Sequence, residues 1–438
     1  MSNDRRDSSE TAVDVPGITR RTVLSGLSAT GLITTSPANA AAPAKALTVV
    51  TGAASLAATQ IATLSGRRVG LITNQTGRVG PEHLVDLIGK APAVKLTAIL
   101  APEHDFRGAV EAGAKVSDGR DAKSGVPVYS LYGASRSPTA AMLRDVDVLV
   151  FDIQDIGVRF YTYISTMGLA MQAAATKRIP FVVLDRPNPI GGDDVSGFVL
   201  EAARTSFVGQ YPIPIVHGLT VGELARMIKG EGYLPGLDQL DLTVIPVQGW
   251  TRSLRWPSTK LPWIATSPNI PTFDAALVYP GIGIVGETLV NEGRGTPTPF
   301  SQFGAPWLDA GKAAAELNSA GLAGVRFSAV QYTPKAIPGV AADPRFEGQL
   351  INAVRVNVTD IQTYRPLETG MHALAHLRTV TRAKGLPLLE KTAMFHAIAG
   401  TTRLHTLIER GATGQDIVAS WQAEVQRFKT ARAKYLLY

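Results

Sequence analysis

Four short apolar runs, at residues 69–73, 96–101, 146–151 and 180–184, are separated by stretches with helical patterning. No other feature constrains the fold of this chain as strongly. Runs of five or six residues with almost no polar member are short for helices and too apolar for half-exposed strands. They read as strands buried on both faces and joined by crossover helices. Helices are expected over 82–89, 163–177 and 221–230, the last with Thr220 as N-cap and Glu223 completing a capping box. The fold class is therefore α/β, built on a parallel sheet.

Each run gives way to polar residues. After the first comes Asn74-Gln75-Thr76-Gly77, and after the second Pro102-Glu103-His104-Asp105-Phe106-Arg107-Gly108. After the third comes Asp152-Ile153-Gln154-Asp155-Ile156-Gly157 with Arg159 and Tyr161 beyond, and after the fourth Asp185-Arg186-Pro187-Asn188-Pro189. Open parallel sheets bind ligands at the carboxyl ends of their strands. One strand ending in Asp is ordinarily a turn or a cap. Four such endings in succession point to a binding edge for a polar, sugar-like molecule. No phosphate-cradling glycine motif opens a helix after any of these strands, so no nucleotide cofactor is expected. No nucleophile elbow is present either. His372 and His376 share a helix face but lack the acidic partner of a zinc hydrolase, and they read as ordinary helix surface with no metal.

The chain has 438 residues, 45% of them apolar, no cysteine and a formal net charge of +7. Disulfides and thiolate metal sites are thereby excluded, and stability must come from core burial. The positive charge is dispersed and forms no basic arm, so no nucleic-acid partner is expected. No run is apolar and long enough for a membrane span. Residues 1–40 read as an export signal of the twin-arginine type. Arg20 and Arg21 precede a short, softened apolar stretch over 23–33, and Ala38-Asn39-Ala40 supplies the small residues of a cleavage site. Export to the periplasm or the exterior is expected. Roughly 400 residues remain, a length for two domains or more.

From Trp263 onward the sequence is rich in Pro, Gly and Thr, and it reads as a long functional loop carrying Asn269, Glu287, Asn291, Glu292, Arg294, Thr296 and Gln302. Beyond it a helix is expected over 310–320, strands over 325–332 and 353–359, and helices over 368–383 and 416–435. This gives a larger N-terminal domain over 46–268 and a smaller α+β domain over 269–438.

The strings GLITNQTG, APEHDFRG, VFDIQDIGVRFYTYISTM, LDRPNPIGG, SPNIPT, NEGRGT and PFSQFGAPW together resemble the exo-β-N-acetylmuramidase family, formerly a domain of unknown function. The resemblance runs from about residue 47 to Tyr438. It implies a Rossmann-like N-terminal domain, a smaller C-terminal domain and an active site in the cleft between them. It also implies release of N-acetylmuramic acid from the non-reducing ends of peptidoglycan fragments. The chain departs from the family pattern at Asp105, where a glycine is usual.

The residues suit that chemistry. Glycoside cleavage ordinarily takes two carboxyl groups, one acting as acid and the other as nucleophile or base. Glu103, beside His104, is the candidate acid. The second group is open among Asp152, Asp155, Glu287 and Glu292. The lactyl carboxylate of muramic acid calls for a bidentate arginine, and Arg107, Arg159, Arg186 and Arg294 all lie in the motif segments. Asn74, Asn188 and Asn269 offer hydrogen bonds to sugar. Phe106, Tyr161, Tyr163 and Trp307 could stack on its faces. Two other classes compete: another cell-wall hydrolase (an amidase, an esterase or a metal-assisted enzyme), and a non-catalytic sugar-binding protein.

Overall fold

The structure is a computed structural model that describes residues 48–59, 61–102, 118–133 and 135–438. The export pattern lies outside the described residues, as do Glu103, His104, Asp105, Phe106 and Arg107.

Seven strands form the central sheet: β1 (Arg68–Thr73), β2 (Lys95–Ala101), β3 (Gly119–Arg120), β4 (Pro127–Ser130), β5 (Val148–Asp152), β6 (Phe181–Leu184) and β7 (Leu242–Ile245), in the order β3-β4-β2-β1-β5-β6-β7. All neighbours are parallel except the short edge pair β3/β4. Numbered along the chain, the six parallel strands run 3-2-1-4-5-6, the order of a dinucleotide-binding Rossmann sheet. The order reverses between β1 and β5, where Thr73 pairs with Asp152.

Alternation within each apolar run divides the side chains between two cores. Val69, Leu71, Val148, Val150, Val182 and Leu184 face one side, packed by α1 (Gly52–Ala58) and α2 (Leu84–Lys90). Ile72, Leu149, Phe151, Phe181 and Val183 face the other, packed by α3 (Tyr163–Lys177) and α4 (Val221–Gly230). Both faces are dry, which is why the runs carry no polar alternation. Phe151 is fully buried, so truncating it to Ala should cost about 3–5 kcal/mol. The capping box expected on α4 is present in both halves.

The second half holds a three-stranded antiparallel sheet of β8 (Gln302–Ala305), β9 (Val325–Tyr332) and β10 (Ile351–Val358), in the order β8-β10-β9. Helix Ala310–Ser319 packs on it. The stretch expected as one long loop contains a 13-residue helix, Phe273–Val285, with Pro280 inside it. Thr272 caps its N-terminus by accepting from the Ala275 N–H, and burial on nearly all sides outweighs the proline. This helix crosses Pro366–Ala383 at two glycines. A Cβ on Gly281 would stand 2.1 Å from the Pro366 carbonyl oxygen, and one on Gly370 would stand 2.5 Å from Gly281 Cα. The helix expected over 416–435 is divided into Gly414–Ser420, Gln422–Arg432 and a 3-10 turn, Ala433–Tyr435.

The described residues pack as one compact unit. Arg432 donates to the carbonyls of His217, Gly218 and Gly192, tying the end of the chain to the first sheet's layer. His376, expected on a helix surface, is instead buried, with Nδ1 2.8 Å from Glu316 Oε2. Among the described residues no helix is long and apolar enough to cross a membrane.

Candidate active site

The site begins where the strand order reverses. Thr73 Oγ1 donates to the Asp152 carbonyl at 3.0 Å, locking the ends of β1 and β5 together. The Asp152 carboxylate is fully buried, and its Oδ1 accepts from Arg186 Nε at 2.7 Å. Its Oδ2 has no partner among the described residues. Gly77 is required here, because a Cβ would stand 2.1 Å from Thr73 Oγ1 and 3.2 Å from Asp152 Oδ2.

The turn after β1 is built from its own side chains. Asn74 Oδ1 accepts from the N–H and the hydroxyl of Thr76, at 2.9 and 2.5 Å. Thr76 Oγ1 in turn accepts from the Gln154 N–H at 2.9 Å, so the loops after β1 and β5 are one network. Gln154 Nε2 reaches the carbonyls of Asp155 and Pro187. Asn74 Nδ2, Gln154 Oε1, Asp152 Oδ2 and Asp155 Oδ1 are all buried without a partner among the described residues. Buried polar groups are ordinarily satisfied, and one left unpaired costs stability. Four of them at one sheet edge mark a place shaped for a polar ligand. A cavity beside them is lined by Thr76, Arg78, Gln154, Arg186 and Trp256.

Asp155 lies one turn further on. Its Oδ2 accepts from the Gly157 N–H at 2.6 Å. Gly157 has φ +78, and a Cβ there would meet the Asn188 side chain at 2.5 Å. Burial pushes the Asp155 carboxyl up to about 7, against the lowering effect of the Gly157 and Ile156 backbone bonds. Its charge acts on Tyr161, whose hydroxyl donates to Thr266 Oγ1 at 2.8 Å. Tyr161 lines a second cavity with Tyr163, Asn269, Tyr279, Phe300 and Arg294. Here residues from both halves of the sequence meet.

The loop carrying Glu292 and Arg294 is held by Asn291. The Asn291 side chain accepts from the Gly293 N–H and donates to the carbonyls of Arg294 and Arg345. Gly293 and Gly295 take φ of +85 and +78, which the turn requires. Glu292 Oε1 lies 3.1 Å from Arg294 Nε. Glu287 is half-buried, and burial together with the Glu292 charge raises its carboxyl pKa.

The structure thus brings together Asn74, Asp152, Asp155 and Arg186 at the sheet edge, and Tyr161, Asn269 and Arg294 around the second cavity, with Glu292 paired to Arg294 and the charge of Glu292 acting on Glu287. Three expected sugar contacts are placed elsewhere. Arg159 is fully buried and donates to the carbonyls of Phe198, Ile213 and Ile398, with burial lowering its guanidinium to about 9. It fastens loops and lines neither cavity. Asn188 donates to the Leu219 carbonyl and accepts from the Ile190 N–H, shaping its own turn. Trp307 packs against the core and lines neither cavity. Gln154, Thr76 and Tyr279, by contrast, were not among the expected site residues. Gln154 and Thr76 sit in the polar strings after the strands, where their position was the available signal. Nothing local marks Tyr279, which a helix delivers.

A solved DUF1343 family protein of Bacteroides fragilis matches with a TM-score of 0.82 at 38% identity, covering 89% of this chain and 99% of that one. A second from the same species matches at 0.72 and 34% identity, with the same coverage. The peptidoglycan β-N-acetylmuramidase NamZ of Bacillus subtilis is 41% identical over 419 residues, covering 95% of this chain and 98% of that protein. The profiles for the N-terminal and C-terminal parts of exo-β-N-acetylmuramidase NamZ match residues 69–274 and 277–438. The chain therefore belongs to the exo-β-N-acetylmuramidase NamZ family.

Proposed function

We propose that this protein is an exo-acting glycosidase that removes N-acetylmuramic acid from the non-reducing ends of peptidoglycan fragments, and that it does so after export through the twin-arginine route. Family membership supports the reaction. The observation that carries it to these residues is the pairing of two differently held carboxyl groups at one sheet edge. Asp152 stands in a buried ion pair with Arg186, and burial raises Asp155 to about 7. Glycosidases need carboxyl groups in different protonation states, and environment is what separates them. A protein that only held sugar would have no use for two buried carboxyl groups held so differently at one edge.

Glu103 is the proposed general acid, on the strength of its motif and its position two residues beyond β2. Asp152 is the proposed second carboxyl group, because Oδ2 has no partner among the described residues. Asp155, whose carboxyl burial pushes up to about 7, is the competing proton donor. Incubation with a disaccharide bearing N-acetylmuramic acid at its non-reducing end should release the free sugar. A product set without it, or cleavage only within longer glycan chains, would overturn the proposal.

A further inference from the structure

The second cavity has a chemistry of its own. Asn269 is 6% exposed, and its Nδ2 donates to the Val340 carbonyl at 2.6 Å. That bond fixes the amide orientation, since a carbonyl takes only a donor. Oδ1 is then left buried, with no partner among the described residues, on a residue that lines the cavity. It asks for a ligand N–H or O–H. On the same cavity Arg294 is half-exposed. Glu292 engages its Nε, and the guanidinium lies 5.4 Å from the Phe300 ring centroid. The two terminal nitrogens are thus directed by a carboxylate on one side and a ring face beneath, a setting that presents a planar fork to an anion. Rings form much of the remaining wall, Tyr161 and Tyr279 with centroids 6.1 Å apart and Tyr279 and Phe300 4.7 Å apart, together with Thr162, Ser267 and Ile270.

Of the arginines expected to read a carboxylate, Arg159 is committed to three carbonyls, and Arg186 to Asp152 and the Arg78 carbonyl. Arg294 keeps both terminal nitrogens without a hydrogen-bond partner among the described residues, on a cavity lined by rings and by the Asn269 amide, whereas Arg186 is held in a buried ion pair with Asp152.

We propose that this cavity, shaped by Asn269, Arg294, Tyr161, Tyr279 and Phe300, is the subsite for the two substituents of the terminal sugar: Asn269 Oδ1 accepts from the acetamido N–H, and Arg294 takes the lactyl carboxylate. The assignment rests on the function proposed above, but its test does not. Binding is measured by calorimetry, separately from cleavage, with three free sugars: N-acetylmuramic acid, N-acetylglucosamine, and 3-O-lactylglucose, which keeps the acid but lacks the acetamido group. Wild-type protein should prefer N-acetylmuramic acid to either of the others by about ten- to a hundredfold. Arg294→Ala should abolish the preference over N-acetylglucosamine while leaving N-acetylglucosamine binding unchanged, and Arg294→Lys should restore only part of it. Asn269→Ala should abolish the preference over 3-O-lactylglucose. Should that variant unfold, the wild-type comparison of N-acetylmuramic acid with 3-O-lactylglucose reads the same contact without mutation. Equal wild-type binding of all three sugars, or an Arg294→Ala protein that keeps its discrimination, would overturn the subsite. Failure to cleave a muramic-acid disaccharide while these preferences hold would overturn the enzymatic reading alone.

Discussion

The Tyr438 hydroxyl donates to Oδ2 of Asp185 at 2.7 Å, across 253 positions of sequence. Asp185 follows β6 directly and precedes Arg186, the partner of Asp152. Its carboxylate also accepts from the Thr220 hydroxyl and the Gly222 N–H at the start of α4, and from the Arg186 N–H. Tyr438 itself accepts from the Val247 N–H at 2.7 Å. One side chain from the far end of the sequence therefore braces the loop that holds the site's buried arginine.

Tyr438→Phe should destabilise the fold by about 1–3 kcal/mol, since it leaves a buried carboxylate oxygen one donor short and the Val247 N–H unpaired. The loss depends on pH. Burial raises Asp185 to about 6, against the opposing bonds from Tyr438, Gly222 and Thr220. A raised carboxyl pKa means that the stability linked to this group is present at low pH and fades as pH rises through 6. The missing donor matters most to the ionised form, so urea denaturation should show a larger deficit at pH 8 than at pH 5. An equal deficit at both would mean that Tyr438 acts through packing against Trp250 alone.

Asp155→Asn separates a chemical role from a structural one. With a folded value near 7 against an ordinary value near 4, the buried carboxyl costs on the order of 4 kcal/mol once pH exceeds both, and nothing below them. Asparagine keeps the acceptor for the Gly157 N–H and carries no charge. The variant should therefore melt at a higher temperature than wild type at pH 8, with the difference shrinking toward pH 4. If Asp155 donates the proton, wild-type activity should fall above pH 7 and the stabilised variant should be at least about a hundredfold slower. A stabilised variant with full activity would leave Asp155 only a structural place.

Export is tested at Arg20 and Arg21. Changing both to Lys keeps the charge but removes the guanidinium pair of the twin-arginine pattern. Full-length protein should then accumulate inside the cell, as read by fractionation. Unchanged secretion would point to a different route.

Much of the fold was legible because it rests on local rules. Residues 163–177, 221–230 and 325–332 form the expected elements to the residue, each being bounded by a cap or a clear change of period. Strands β4 and β7 were missed because PVYS and LTVI are four-residue pieces without a continuous apolar run, and β7 is only half-buried. The helix Phe273–Val285 was hidden by its own Pro280 and glycines, which read as loop until the partner Gly370 is known. The site was legible in outline, since polar strings after buried strands land at the strand ends. Individual roles were not. Arg159 sits four residues after Asp155, yet its three carbonyl partners lie 39, 54 and 239 positions away. Nothing in the local string distinguishes a core fastener from a ligand contact.

Glu103 is the sharpest remaining test. It stands two residues after β2 in the sequence, next to His104, within the string APEHDFRG. Glu103→Gln keeps the shape and the hydrogen-bonding reach but cannot deliver a proton. A general acid contributes about 10² to 10⁴ in rate. On a sugar leaving group, which must be protonated to depart, the variant should turn over at least about a hundredfold more slowly while still binding substrate. On an activated aryl leaving group, whose departure needs little protonation, the deficit should be much smaller. Asp155→Asn provides the control, since only one of the two variants should show this dependence on leaving group. If Glu103→Gln cleaves both substrates at wild-type rates and Asp155→Asn shows the split, proton delivery belongs to Asp155 and the raised value near 7 is its cause.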